Sequence, residues 1–172
     1  MSDASSIKDR VMSVARMIRG DFSISEDRHG RVTAWITLAD KDDLIAACRA
    51  LKAFDARLSM ITALADQQAG CNQIAYHFDI EGSTVTIKVT LASGASVDSI
   101  VTLFRNADWH EREFMEFYDI KTNGRTDNRR LFLDESVDGR VMERLIPLSV
   151  ISNAASTNML FERLITDREK QR

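Results

Sequence analysis

The sequence predicts an α+β fold, with a largely antiparallel or mixed sheet covered by helices and an extended C-terminal segment. Apolar residues recur every third or fourth position in some segments and every second position in others, which are the periods of helices and strands. After residue 120 this regularity gives way to short apolar groups separated by polar residues. We therefore expect an α+β domain over residues 1–120 and an extended segment over residues 121–172.

The first predicted elements are a helix over residues 5–19, a strand over residues 31–38 and a second helix over residues 40–54. Asp40 is placed to cap the second helix, and two further aspartates in its first turn favour the positive end of the helix dipole. The inward-facing positions are Ile7, Val11, Val14, Ala15 and Ile18 in the first helix, Val32, Ala34, Ile36 and Leu38 in the strand, and Leu44, Ala47, Cys48 and Leu51 in the second helix.

Three further strands are predicted in the middle of the chain. Residues 57–65, "RLSMITALA", are a strand candidate, and residues 72–80 and 84–91 flank the turn "EGS" as a hairpin. The last strand alternates strictly, with Val85, Ile87, Val89 and Leu91 on one side.

Two helices are predicted after the hairpin. Ser96 can cap a helix over residues 97–104, and Asp108 can begin another, with Glu111 three residues later in the capping-box position. We expect Ile100, Leu103 and Phe104 to face inward in the first of these; in the second, Phe114, Phe117 and Tyr118 lie on one face and Glu113 and Glu116 on the other.

The segment after residue 120 is predicted to begin as a polar loop over residues 121–130. It continues with "LFLDES" and "VMERLIPLSV", which have no sustained period, and a short amphipathic helix is expected from Ser156, with Met159, Leu160, Leu164 and Ile165 inward. Residues 121–152 are the part of the chain least able to bury its apolar side chains within its own domain.

Composition excludes several classes of protein. A formal net charge of −3 is not that of a general nucleic-acid binder. Two distant cysteines, Cys48 and Cys71, supply neither the four thiolates of an iron–sulfur cluster nor a CxxC zinc or redox pair, and they suit a reducing compartment. The N-terminus lacks an apolar signal segment and no apolar run is long enough to cross a bilayer, so we expect a protein that is soluble by itself.

The stretch "DWHEREFMEFYDI", residues 108–120, raises the question of a metal site. His110, Glu113 and Glu116 lie within two helical turns, and imidazole with carboxylates suits zinc or iron. However, a zinc-protease helix requires a second histidine four residues after the first, where this chain has Phe114. The alternative is local, with Arg112 paired to Glu116 and His110 solvated. A small metal-dependent hydrolase using this cluster remains the alternative function.

No other catalytic or cofactor motif is present. The chain has no GxSxG elbow, no cysteine beside a base and no glycine-rich phosphate loop, so no catalytic residue and no cofactor of its own are predicted. Arg125, Arg129 and Arg130 could grip phosphates, which makes a nucleic-acid-binding module a minor alternative. Acidic residues interrupt them, and arginines among acids more often form ion pairs, within a protein or across an interface.

The stretch "NADWHEREFMEFYDI", preceded by "SVDSIVTLFRNA", resembles the defining segment of the 30 kDa subunit family of respiratory complex I, in which a helix and a tryptophan precede Glu-Arg-Glu. "GRTDNRRLFLDESVDG" is similar to the family's downstream Gly-His-Pro-(Asp or Asn)-x-Arg-Arg-(Leu or Ile) segment. Asp119 stands where the family has glycine, and Arg125-Thr126 replaces His-Pro. The matching residues are Trp109, Glu111, Arg112, Glu113, Glu116, Phe117, Tyr118, Ile120, Gly124, Asp127, Arg129, Arg130 and Leu131.

The ending "LFLDES…ERLIPLS" is more similar to the corresponding small subunit of energy-converting, membrane-bound nickel–iron hydrogenases, including the carbon-monoxide-induced type. Both resemblances imply a non-catalytic subunit of the hydrophilic arm of a membrane-bound electron-transfer complex. It would dock on the large catalytic subunit and the iron–sulfur small subunit. It would bind no nucleic acid, and would be cytoplasmic and peripheral on the inner face of the cell membrane through that complex.

The same resemblance implies which residues form the interface. Glu111, Arg112 and Glu113 are expected to fix the junction between body and extension, and Arg129 and Arg130 to donate ion pairs to a partner. We expect residues 121–152 to be mobile, or folded back on the domain, when the partner is missing. The apolar anchors are Leu131, Phe132, Leu133, Val141, Met142, Leu145 and Ile146.

Overall fold

A computed structural model describes residues 6–66 and 68–133 of the chain. The helices are α1 (Ile7–Met17), α2 (Leu44–Ala53) and α3 (Ala107–Tyr118), and a single 3-10 turn (Lys41–Asp43) precedes α2. The strands are β1 (Gly20–Glu26), β2 (Val32–Leu38), β3 (Arg57–Asp66), β4 (Cys71–Ile80), β5 (Ser83–Ala92), β6 (Ser96–Asp98) and β7 (Lys121–Asn123).

The main sheet has five strands in the order β1-β2-β5-β4-β3. Neighbouring strands are antiparallel except β2 and β5, which are parallel because α2, β3 and β4 intervene between them along the chain. The short strands β6 and β7 form a separate parallel pair. The predicted α+β class with a mixed sheet is confirmed.

One face of the sheet forms the hydrophobic core with the helices. The alternating positions of β2, β4 and β5 are buried on this face, and α1 and α2 bury their predicted apolar stripes in the same cluster. Ile7 alone of the predicted inward set is half-buried. Cys48 lies in the core as expected, where burial raises the pKa of its thiol.

The β4–β5 hairpin closes through a two-residue turn. Glu81 and Gly82 both have positive φ angles, 51° and 79°, which is the conformation of the turns that match strand twist. Ser83, predicted to be part of the turn, instead pairs with Ile80 as the first residue of β5. Its buried hydroxyl accepts a hydrogen bond from the backbone N–H of Val32 at 3.0 Å, which ties the hairpin to the start of β2.

The predicted helix over residues 97–104 is wrong. This stretch is β6 followed by turns, although Ile100 and Phe104 are buried as expected and Leu103 is half-buried against the core. The backbone N–H of Ser99 donates to the carbonyl of Asn123, and that of Ile100 donates to the Glu111 carboxylate. These contacts with distant residues take the backbone donors that a helix would use.

Helix α3 begins at Ala107, one residue before the predicted start. The cap residue Asn106 makes no side-chain cap hydrogen bond and donates instead to the carbonyl of Leu58 at 2.8 Å. Glu111 does not form the predicted capping box, because its carboxylate points into the protein. Strand β7 lies within residues 121–130, where we predicted a loop. No described helix combines the length and apolar character needed to cross a membrane.

Gly20 opens the edge strand β1, and we expect it to tolerate no side chain. Its φ is +149°, and an added Cβ would lie 1.9 Å from the carbonyl oxygen of Thr37 on β2. Gly94, with φ +75° and nothing within 4 Å of the added atom, is the matched control. Gly94→Ala should cost about 1 kcal/mol for the left-handed backbone, and Gly20→Ala should cost more because of the added collision. Equal urea midpoints for the two variants would contradict this.

Candidate functional site

Glu111 of helix α3 is a fully buried carboxylate with no contact to solvent. Its Oε1 accepts from the backbone N–H of Ile100 at 2.8 Å, and its Oε2 accepts from the Ser99 hydroxyl at 2.7 Å. Oε2 also accepts from Nη1 of Arg125 at 2.9 Å. Because a buried charge requires both a counter-ion and hydrogen bonds, these groups together allow Glu111 to remain ionised.

Arg125 is the counter-ion, and its side chain is only 2% exposed. Its Nη2 donates to Oδ1 of Asp108 at 2.6 Å, and both Nε and Nη2 donate to the carbonyl of Asp127, at 3.0 and 2.7 Å. Burial lowers the pKa of Arg125, but the hydrogen bonds to Glu111 and Asp108 outweigh burial and raise it. A guanidinium enclosed in this way is not available to nucleic-acid phosphates.

The chain that follows β7 lies against α3. We refer to residues 124–133 as the strap. Arg112 of α3 donates from Nε to the carbonyl of Arg129 at 2.8 Å and from Nη2 to the carbonyl of Arg130 at 2.6 Å. The predicted ion pair between Arg112 and Glu116 is therefore wrong, and Arg112 makes its ion pair, at 3.9 Å, with Asp108.

Glu116 binds the next three residues of the strap. It is 6% exposed, although we predicted it on the outward face of the helix. Its Oε2 accepts from the backbone N–H groups of Leu131, at 3.1 Å, and Phe132, at 3.0 Å, and its Oε1 accepts from the N–H of Leu133. A carboxylate that accepts several backbone N–H groups makes charge-assisted hydrogen bonds, which are stronger than neutral ones.

Two aromatic side chains stand exposed beside this arrangement. Trp109 is 65% exposed and Phe132 is 62% exposed. One face of Phe132 stacks on Phe117, with ring centroids 5.8 Å apart and planes within 5°. The stack holds the Phe132 ring upright while leaving most of its surface accessible.

The remaining predicted interface residues lie at the strap or just outside it. Asp127 accepts from the backbone N–H of Arg129 at 3.1 Å and pairs with its guanidinium at 2.7 Å, and Arg129 holds the pKa of Asp127 below its usual range. Gly124 has a φ of +76°, which suits glycine. Glu113 is half-exposed on α3. The predicted anchors Val141, Met142, Leu145 and Ile146 lie outside the described residues.

The proposed metal ligands do not converge. The His110 ring nitrogen Nδ1 lies 3.9 Å from a Glu113 oxygen, whereas both oxygens of Glu116 are bonded to the strap. Within residues 6–66 and 68–133, no group of three or more histidine, cysteine, aspartate or glutamate side chains is placed to hold a metal ion. The hydrolase alternative therefore loses its ligand set.

Sequence reasoning missed Ser99 and Asp108 as members of this site. Ser99 lies twelve residues before Glu111, and Arg125 lies fourteen residues after it. No short-range spacing rule connects such positions, since a turn after β6 and the start of the strap bring them together. Asp119 has a φ of 51° at the end of α3, a left-handed position at which glycine is usual and aspartate is tolerated.

The fold and site define an α+β domain whose third helix binds a C-terminal strap through paired acidic and basic side chains. A family model described as "Respiratory-chain NADH dehydrogenase, 30 Kd subunit" matches residues 37–150, more than half of the chain. The chain belongs to this family, as its motifs indicated.

Curated relatives are subunits of NADH-quinone oxidoreductase. The relative from Rhodopseudomonas palustris (strain TIE-1) is 37% identical over 65 residues, covering 38% of this chain and 32% of the relative. The protein of the same name from Sinorhizobium medicae (strain WSM419) is 32% identical over 78 residues, covering 44% of this chain and 39% of the relative. The chain thus matches about a third of the length of these relatives.

A solved structure shares the fold. It is a chain from the structure of the membrane-bound sulfane sulfur reductase, an archaeal respiratory membrane complex, and it superposes with a TM-score of 0.57. The match covers 74% of this chain and 77% of that chain at 14% sequence identity. At this identity the match supports the α+β fold alone.

Proposed function

We propose that this chain is a non-catalytic structural subunit of the hydrophilic arm of a membrane-bound electron-transfer complex. The observation that supports this most strongly is the family match, which spans α3 and the strap as well as most of the sheet. Subunits of this family's complexes assemble with other chains, so a preformed surface for a partner is expected near the family's defining motif.

The geometry of α3 and the strap supports a docking role. The charged groups Glu111, Arg112, Glu116 and Arg125 bind one another or the chain's own backbone. Trp109 and Phe132, by contrast, project large apolar surfaces into solvent. Aromatic residues are enriched in the buried centres of protein interfaces and contribute much of their binding energy. We assign these two side chains as the contact points for a partner.

We propose that residues 121–172 form the docking segment and that the strap is its first part. The partners would be the large catalytic subunit and the iron–sulfur small subunit of the same complex. The ending of the chain favours the branch of energy-converting nickel–iron hydrogenases over NADH dehydrogenase. Attachment to the cytoplasmic face of the membrane would then occur through these partners.

Co-purification from the native host tests this proposal. The chromosomal copy would carry an affinity tag, membranes would be solubilised in mild detergent, and the recovered proteins would be identified and quantified by mass spectrometry. We expect a large catalytic subunit and an iron–sulfur subunit in fixed ratio to the tagged chain. Nickel in the recovered complex would support the hydrogenase branch, and flavin with NADH oxidation would support the dehydrogenase branch.

A pair of variants locates the contact. Trp109→Ala together with Phe132→Ala should reduce recovery of the partners at least tenfold, whereas the matched control Trp35→Ala, which removes a 46%-exposed tryptophan from β2, should not. Recovery of the tagged chain alone, free of any electron-transfer subunit, would refute the proposed function. Equal recovery with the double variant and wild type would refute the assigned surface.

A further inference from the structure

We infer that Arg112 and Glu116 form a backbone clamp that assembles the partner-facing edge of the strap before any partner binds. The name denotes these two α3 side chains and the five strap residues, 129–133, whose main-chain groups they bind. The clamp is observed within the isolated chain. Its effect on docking rests on the proposed function.

The contacts between α3 and the strap advance in step along both. At the start of α3, Asp108 and Glu111 bind Arg125; one turn later, Arg112 binds the carbonyls of residues 129 and 130; one turn further, Glu116 binds the N–H groups of residues 131–133. The strap therefore runs in the same direction as the helix. This parallel course, held by charged groups at three levels, fixes where the strap lies on α3.

The clamp holds main-chain groups of the strap rather than its side chains. Arg112 and Glu116 are four residues apart, the spacing at which opposite charges on a helix normally pair with each other. Here the basic side chain takes successive carbonyls and the acidic one takes successive N–H groups. Because the clamp's hydrogen bonds do not depend on which side chains the strap carries, an exposed one such as Phe132 can serve partner recognition.

Pre-assembly should increase affinity for a partner. A strap that first became ordered on binding would lose part of the interaction free energy to that ordering. The clamp places Phe132 on Phe117 and keeps it 62% exposed in the free chain, so this cost is already met in folding. Arg112 and Glu116 are thus positioning residues, which act on the partner through the strap.

Amide hydrogen exchange in the free, full-length chain tests the clamp itself. Glu116→Ala should accelerate exchange at Leu131, Phe132 and Leu133 at least tenfold, with exchange in β4 and β5 unchanged. Arg112→Lys, which keeps the charge but not the two-pronged geometry, should give a smaller increase. The matched control is Glu113→Ala, a half-exposed glutamate on the same helix, which should have no effect. Unchanged exchange in Glu116→Ala would overturn the inference.

Affinity for the purified large and iron–sulfur subunits tests its consequence. Glu116→Ala should weaken binding at least tenfold and also accelerate strap exchange in the free chain. Trp109→Ala should weaken binding without altering that exchange, which separates loss of a contact from loss of pre-assembly. Accelerated exchange with wild-type affinity would overturn the effect on docking. Failure of the wild-type chain to bind either subunit would refute the proposed function, while the exchange result would still decide the clamp.

Discussion

Replacing Arg125 with methionine should destabilise the fold by about 3–5 kcal/mol, because it removes the counter-ion of a buried carboxylate. Glu111 is fully buried, and Arg125 reaches it at 2.9 Å from a position that is itself 2% exposed. Without the guanidinium, Glu111 must either remain charged and unpaired or take up a proton. Urea unfolding at neutral pH, followed by far-ultraviolet circular dichroism, measures the loss.

Two comparisons make this expectation specific to the buried pair. Arg129→Met removes an arginine of the same strap whose side chain is 81% exposed, and its unfolding midpoint should match wild type. The double variant Glu111→Met, Arg125→Met should lose less stability than the sum of the single variants, because neither charge is left alone. Strictly additive losses would show that the two side chains do not stabilise each other.

Phe78→Ala should cost about 3–5 kcal/mol, the usual loss when a buried phenylalanine is truncated in a core. Phe78 is 1% exposed on β4, and its ring centroid lies 5.1 Å from that of Phe104. That contact also holds the turn at residues 99–104, which Lys52 supports by donating to the carbonyl of Leu103. The cavity left by the variant should therefore loosen this turn as well as the sheet.

The matched control for Phe78→Ala is Phe22→Ala. Phe22 is on the edge strand β1 and is 44% exposed, so its removal deletes little buried surface. We expect it to cost less than about 1 kcal/mol. Thermal or urea unfolding of both variants suffices, and a Phe78→Ala midpoint close to that of Phe22→Ala would contradict the assigned core.

Local periodicity predicted most of the main sheet and its helices, because their buried positions recur at the period of each element. It missed β1, since an edge strand that is exposed at most positions shows no alternation of burial for the sequence to reveal. It also predicted a helix over residues 97–104, where the spacing of Ile100 and Phe104 is helical. Contacts from Glu111 and Asn123, distant in sequence, determine that backbone instead.

For the site, the motif identified residues but not what they bind. Glu111, Arg112 and Glu116 were each assigned a partner within α3 or exposure to solvent, as helix spacing suggests. The structure places Glu111 against Arg125, and places Arg112 and Glu116 against the strap's main chain. Main-chain partners leave no trace in side-chain patterns, because any residue offers the same carbonyl group and, proline apart, the same N–H group.

Photo-cross-linking from position 132 in intact membranes tests most directly whether α3 and the strap face a partner. A photoreactive phenylalanine analogue would replace Phe132, and the same analogue at Phe22, an exposed position on β1, would serve as control. We predict that irradiation joins the chain through position 132 to a catalytic or iron–sulfur subunit, and that position 22 gives no such product. Products confined to the chain itself from position 132 would contradict the account.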